Sequence, residues 1–104
     1  MTKSQHLINI LKDISPRSIS GRDLAATMEI TERELRDIVR EARLKGVYQI
    51  VSGNGYSYVT DRNKVLESLR RHLAHAMSEL KVFNAMKRNA EADFSETFEF
   101  KEVI

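Results

Sequence analysis

Hydrophobic positions recur along this chain with three spacings, and each spacing marks a different kind of element. From Ser4 to Ile14, the residues Leu7, Ile8, Ile10, Leu11 and Ile14 fall on one stripe of a helix. Ser15-Pro16 ends it, because proline has no N–H and disfavours a helical residue before it. The helical spacing returns in Leu24, Ala25 and Met28, and again in Leu35, Ile38, Val39 and Ala42. Ser20 and Thr31 stand one turn ahead of these two runs, where a side-chain oxygen can accept an orphaned N–H. Thr31 followed three residues later by Glu34 is also a capping box, which predicts a bond from Glu34 back to the cap's own N–H. Only Glu29 and Ile30 separate the two runs, so they must be joined by a sharp turn.

The spacing then changes to two. Val47 to Val51 and Tyr56 to Val59 are rich in β-branched and aromatic residues and flank Gly53-Asn54-Gly55, which predicts a hairpin after a helix closed by Gly46. A three-residue Gly-Asn-Gly loop would pair Ile50 with Tyr58 and place Tyr48, Ile50, Tyr56 and Tyr58 on one face. A two-residue Asn-Gly turn would pair Val51 with Tyr58 instead. The first gathers the bulky residues toward the core and is preferred. Ser18-Ile19-Ser20 is short enough to be a single bridging strand beside the hairpin, with Ile19 turned inward.

A third pattern starts after Thr60-Asp61, which is placed to cap a helix. No proline or glycine interrupts residues 62–90, which predicts one helix of roughly 43 Å at about 1.5 Å per residue. Leu66, Leu69, Leu73, Ala76, Leu80 and Phe83 alternate spacings of three and four, the seam of a coiled coil, and Lys87 at the next seam position ends it. The simplest partner for such a seam is its own copy, so a homodimer is expected. The alternative is that the helix folds over its own domain or pairs with the tail. Residues 92–104 mix acids with Phe94, Phe98, Phe100, Val103 and Ile104, too apolar for a purely solvating tail. This segment is expected to dock on the long helix or on a second protein. The chain thus reads as three parts: residues 1–61, a dimerisation helix over 62–91, and a tail over 92–104.

Charge follows this division. Residues 1–90 carry 16 basic and 10 acidic side chains, a net +6, whereas residues 91–104 carry one and five, a net −4. A modestly basic body suits an anionic partner. There is no cysteine, which excludes disulfides and thiol chemistry, and no apolar run approaches the roughly 20 residues that span a bilayer. These features predict a protein of the cytoplasm or nucleoid with no membrane partner.

The order of elements carries a resemblance. A small Ala25 where two helices cross, Ile30 in the turn, Leu35 and Ile38 inside the second helix, then Leu44-Lys45-Gly46, Ile50 and Gly55-Tyr56-Ser57-Tyr58 resemble winged helix-turn-helix proteins. The order is similar to the N-terminal domains of biotin-repressor-like regulators and of many small phage-encoded winged-helix proteins. The resemblance covers about residues 4–61. It implies a mainly α fold with a small β-hairpin, a winged helix-turn-helix followed by a long C-terminal helix. Glu29 departs from the family's frequent glycine at the turn, and must tolerate a strained backbone or a different turn.

By that resemblance, helix 31–45 would lie in the major groove of double-stranded DNA. Stepping about 100° per residue puts Arg33, Arg36, Arg40 and Arg43 in one stripe and Glu34, Asp37 and Glu41 in another. Residues near the start of such a helix meet the bases, which implicates Thr31, Glu32, Arg33, Arg36 and Asp37, with Arg40 nearer the phosphates. Arg17, Ser18 and Arg22 would add phosphate contacts, as would Ser52 and Asn54 in the wing, with Lys3 and Arg62 extending the footprint. Two features run against DNA. The acids repel phosphate unless paired, as Arg33–Asp37, Arg36–Glu32 and Arg40–Asp37 could be along the helix, and the wing tip has no cation. They motivate an alternative, a protein-interaction module that uses the winged scaffold without DNA, as small phage proteins aimed at host machinery do.

Catalysis has no support in the residues. There is no glycine-rich phosphate loop and no nucleophile motif, and no cofactor is implied. His72 and His75 sit three residues apart without a third ligand, so they are expected to flank the seam rather than hold a metal.

Overall fold

In the computed structural model, residues 1–100 are described, so the tail positions Lys101, Val103 and Ile104 lie outside the described residues. The chain is mainly helical with one two-stranded antiparallel hairpin. The elements are α1 (Lys3–Ile14), α2 (Gly21–Thr27), α3 (Glu32–Leu44), β1 (Ile50–Gly53), β2 (Gly55–Tyr58) and α4 (Arg62–Phe94). They fall into two compact units, Met1–Ser68 and Leu69–Ile104.

Each helix of the first unit starts where a side chain takes up an orphaned N–H. Thr2, Ser20 and Thr31 accept from Gln5, Asp23 and Glu34, each at 3.1 Å. Asp61 does the same for Lys64 at the head of α4, also at 3.1 Å. The capping box at Thr31 differs from expectation in one bond. Glu34 Oε1 accepts the Thr31 hydroxyl at 3.4 Å rather than the Thr31 N–H.

Two of these helices end in the same way. At α2, the Glu29 N–H donates to Ala26 O at 3.1 Å and the Ile30 N–H reaches back to Ala25 O at 3.0 Å. At α3, the Gly46 N–H donates to Arg43 O at 3.0 Å and the Val47 N–H to Ala42 O at 3.1 Å. This double bond is the Schellman motif, and its pivot must be left-handed. Gly46 takes φ 100° freely, but Glu29 takes φ 57° with a Cβ that crowds the next carbonyl. The non-glycine residue at the turn is therefore met by backbone strain. Ile30 and Val47, the residues just past each pivot, pack on the core.

That core is made by one face from each element. Leu7 and Leu11 of α1, Leu24 and Ala25 of α2, and Leu35, Val39 and Ala42 of α3 are buried together with Ile50 of β1. The hairpin pairs Ile50 with Tyr58 and Gly53 with Gly55, the register of the three-residue loop. Ile19 forms the expected bridge, exchanging bonds with Tyr56 at 2.9 and 2.7 Å. Tyr48 corrects the hairpin expectation. The strand begins only at Ile50, Val47 takes the inward position as the chain leaves α3, and Tyr48 is 53% exposed. The first turns of α4 belong to this unit, where Val65 and Leu66 are half-buried and Ser68 is buried.

In the second unit α4 continues to Phe94, four residues beyond the expected end, because nothing in Glu91-Ala92-Asp93 breaks a helix. Ser95 then takes φ 51° and turns the chain.

The two Schellman pivots give opposite predictions for one motif. In urea unfolding, Glu29→Gly should raise stability and Gly46→Ala should lower it, each by about 1 kcal/mol, since the strain is conformational at both. Gly55→Ala should cost more, about 2–3 kcal/mol, because its φ is 105° and an added Cβ would stand 2.6 Å from the Ile19 carbonyl oxygen.

Candidate functional site

The N-terminus of α3 is held by three separate restraints. The Ala25–Ile30 bond fixes the turn before it, the Thr31 cap fixes its first N–H groups, and Leu35, Val39 and Ala42 bury its inner side. With the inner side committed, helical geometry turns Arg33, Arg36, Asp37 and Arg40 outward, and all four are exposed. None of the intrahelical pairs Arg33–Asp37, Arg36–Glu32 or Arg40–Asp37 closes to an ion pair among the described residues; the ion pairs there are Lys3–Glu34, Glu41–Lys45 and Lys87–Glu91. The three guanidinium groups are thus presented to solvent without a carboxylate to neutralise them.

One of the acids that compete with an anionic ligand is engaged elsewhere. Glu34 serves the Thr31 hydroxyl and pairs with Lys3 at 3.7 Å. Glu32 stays exposed in the first turn of α3, with no ion pair among the described residues. A carboxylate near the first turn of a helix is in a favourable field. Asp37 remains on the exposed face with the arginines.

Arg43, the fourth arginine of the expected stripe, is removed from it. Its guanidinium donates to the Ile50 carbonyl at 2.9 Å and to the Ser52 hydroxyl at 3.2 Å, tying the end of α3 to β1. Burial pushes its pKa down, opposed by the neighbouring Tyr56. This bond also occupies one face of Ser52. Sequence reasoning missed the role of Arg43, since its helical angle matches Arg36 and only the position of the hairpin distinguishes them.

The remaining residues are spread more widely. Arg17 and Ser18 are exposed between α1 and α2, with the Arg17 N–H bonded to Ile14 O at 2.9 Å. Arg22 is exposed in the first turn of α2, and Thr31 is occupied as a cap. Asn54 is exposed at the hairpin tip between two glycines, with no charged residue from Ser52 to Gly55.

A second surface lies on α4. Leu69, Leu73, Leu80 and Phe83 are 50%, 63%, 47% and 41% exposed, and Ala76 is exposed between them. Leu66 is half-buried. Met77 is exposed as well and lies beside this stripe, an apolar position that strict three-four counting passes over. Among the described residues no group of His, Cys, Asp or Glu side chains is placed to hold a metal, and no helix is long and apolar enough to cross a membrane.

Compared with protein-family models, curated proteins and solved structures, the chain matches none. The reading of its function therefore stands on these two surfaces.

Arg43 and Arg40 should separate cleanly in thermal or urea unfolding. Arg43→Met removes two bonds from a charged donor and should cost about 1–2 kcal/mol, whereas Arg40→Ala, at an exposed site, should stay within about 0.5 kcal/mol of the parent.

Proposed function

We propose that residues 1–61 are a winged helix-turn-helix that binds double-stranded DNA, with α3 as the recognition helix and the β1–β2 hairpin as the wing. The observation that carries this reading is the row Arg33, Arg36 and Arg40, exposed and without ion pairs on a helix whose neighbouring acid Glu34 is engaged by Lys3. A helix of this width enters the major groove, where a guanidinium can take guanine O6 and N7 together or grip phosphate. Arg17, Ser18 and Arg22 supply backbone contacts, and Asn54 and Ser52 do so from an uncharged wing. Asp37 fits a cytosine amino group better than a phosphate.

The same proposal makes the protein a homodimer through Leu66, Leu69, Leu73, Ala76, Leu80 and Phe83. Exposed leucines in that register support it. Two copies would read a repeated or palindromic site about one helical turn apart. The role is that of a small regulator of transcription or replication in the cytoplasm or nucleoid.

One observation favours a second reading, a protein-interaction module. Leu44 and Tyr48 are 73% and 53% exposed where α3 leads into the hairpin, and the hairpin tip offers phosphate no cation.

Duplex binding distinguishes the two. Arg33→Ala combined with Arg36→Ala should weaken binding to a selected duplex by about a hundredfold and lower the salt slope by about two. Equal binding by parent and variant at low and moderate salt would sink the recognition-helix assignment. No binding by either, with Leu44→Ser abolishing capture of a defined protein partner, would favour the module.

A further inference from the structure

Past Leu80 the apolar stripe of α4 is partly covered by the chain's own tail, which leaves Lys87 and Ala90 half-buried and Phe83 41% exposed. Phe100 stands edge-on to Phe83 with ring centroids 5.2 Å apart, and Phe98 stands edge-on to Phe94 at 6.2 Å. The Phe98 N–H donates to Glu91 Oε2 at 2.9 Å, and Lys87 Nζ holds the same oxygen at 2.8 Å. An open apolar cleft lies between Phe83, Met86 and Ala90 on the helix and Phe98 and Phe100 on the tail.

Counting on from Phe83 in steps of four, three and four gives Lys87, Ala90 and Phe94, the continuation of the coiled-coil stripe. The tail therefore lies along the line a second helix would use. What stays open, Leu69 to Leu80, is under two heptads, whereas a sustained coiled coil runs for about three to four. Lys87, the residue that ends the seam by its charge, is neutralised here by Glu91 and lies half-buried under the tail.

We propose that the tail, residues 95–100, and the α4 of a second copy compete for the Phe83–Phe94 face of α4, so that tail docking sets how tightly the chain pairs with itself. This rests on the dimer reading and adds a control to it. The occupant when the tail lifts is a second α4, because the face is continuous with the open Leu69–Leu80 stripe and shares its period. With the tail docked, two copies have only the short open stripe to pack. With it released, they gain the layers at Phe83, Ala90 and Phe94 and reach the length they lack.

The test uses the full chain carrying Phe98→Ser with Phe100→Ser, and separately Glu91→Ala, which releases the tail by removing the acceptor of the Phe98 N–H. Hydrogen exchange at the residue 98 amide reports release, far-UV circular dichroism checks the helix, and sedimentation equilibrium reads association. Both variants should lose protection at residue 98 and dimerise with a dissociation constant lower by about tenfold or more. A monomeric parent with dimeric variants would also support the competition. A dimeric parent whose constant is unchanged or weaker in both variants overturns the competition and leaves the dimer standing. Parent and variants all monomeric at about 1 mM would overturn both readings.

Discussion

The exposed face of α3 depends on a turn of two residues. Glu29 sits left-handed so that the Ile30 N–H can reach Ala25 O, and that bond sets where α3 begins and which of its sides meets the core. A left-handed non-glycine residue costs on the order of 1–2 kcal/mol, and the surrounding structure must exceed that cost for the turn to persist. Here it does so with buried Ala25 and Leu24 on one side, Leu35 on the other, and the Thr31 cap between them. Rotating α3 by one residue would bury Arg36 and expose Leu35, an exchange that costs far more than the strain at Glu29. The orientation of the arginine row is therefore enforced by burial behind it, and no contact of its own is needed to hold it.

The same economy of position applies to charge. On α3 an arginine and an acid differ in fate according to what the neighbouring elements place beside them. Glu34 meets Lys3 from α1, Glu41 pairs with Lys45 one turn on, and Arg43 meets the open carbonyl of Ile50 on β1. Those three are taken up by the fold, which leaves Arg33, Arg36 and Arg40 with Glu32 and Asp37 as the net presentation of the helix. Sequence counting finds four arginines against four acids on this helix, a nearly neutral surface. After the fold has taken its share, three cations face two acids, a small positive excess.

Local signals in the sequence carried most of the fold. Caps at Ser20, Thr31 and Asp61, the pivot at Gly46 and the register across Gly53-Asn54-Gly55 each depend on residues within a few positions, and each is found in the structure, as is the bridge at Ile19. What escaped depends on how the hairpin is set against α3. Tyr48 lost its inward place because Val47, pulled back by Ala42 O, had already taken it. Arg43 left the stripe because a carbonyl seven residues on was within reach. The length of α4 escaped for a different reason. Its last residues are ordinary helix formers, and only the left-handed turn at Ser95 shows where it stops.

The tail turns that last point into a matter of acid chemistry. Glu91 accepts from the Lys87 ammonium and then from the Phe98 N–H, and these two bonds, in that order, hold its pKa below the usual carboxylate value against the opposing effect of burial. A carboxylate whose folded pKa is depressed contributes its stabilisation above the unfolded value, about 4.3, and loses it as pH falls through the folded one. Docking of Phe98 and Phe100 should then be constant at neutral pH and fail in acid below about pH 4, with exchange at the Phe98 amide rising there. In Glu91→Gln, whose side chain does not titrate in this range, that acid transition should vanish. A transition that persisted unchanged would mean that a carboxyl group other than Glu91 governs docking of the tail in acid.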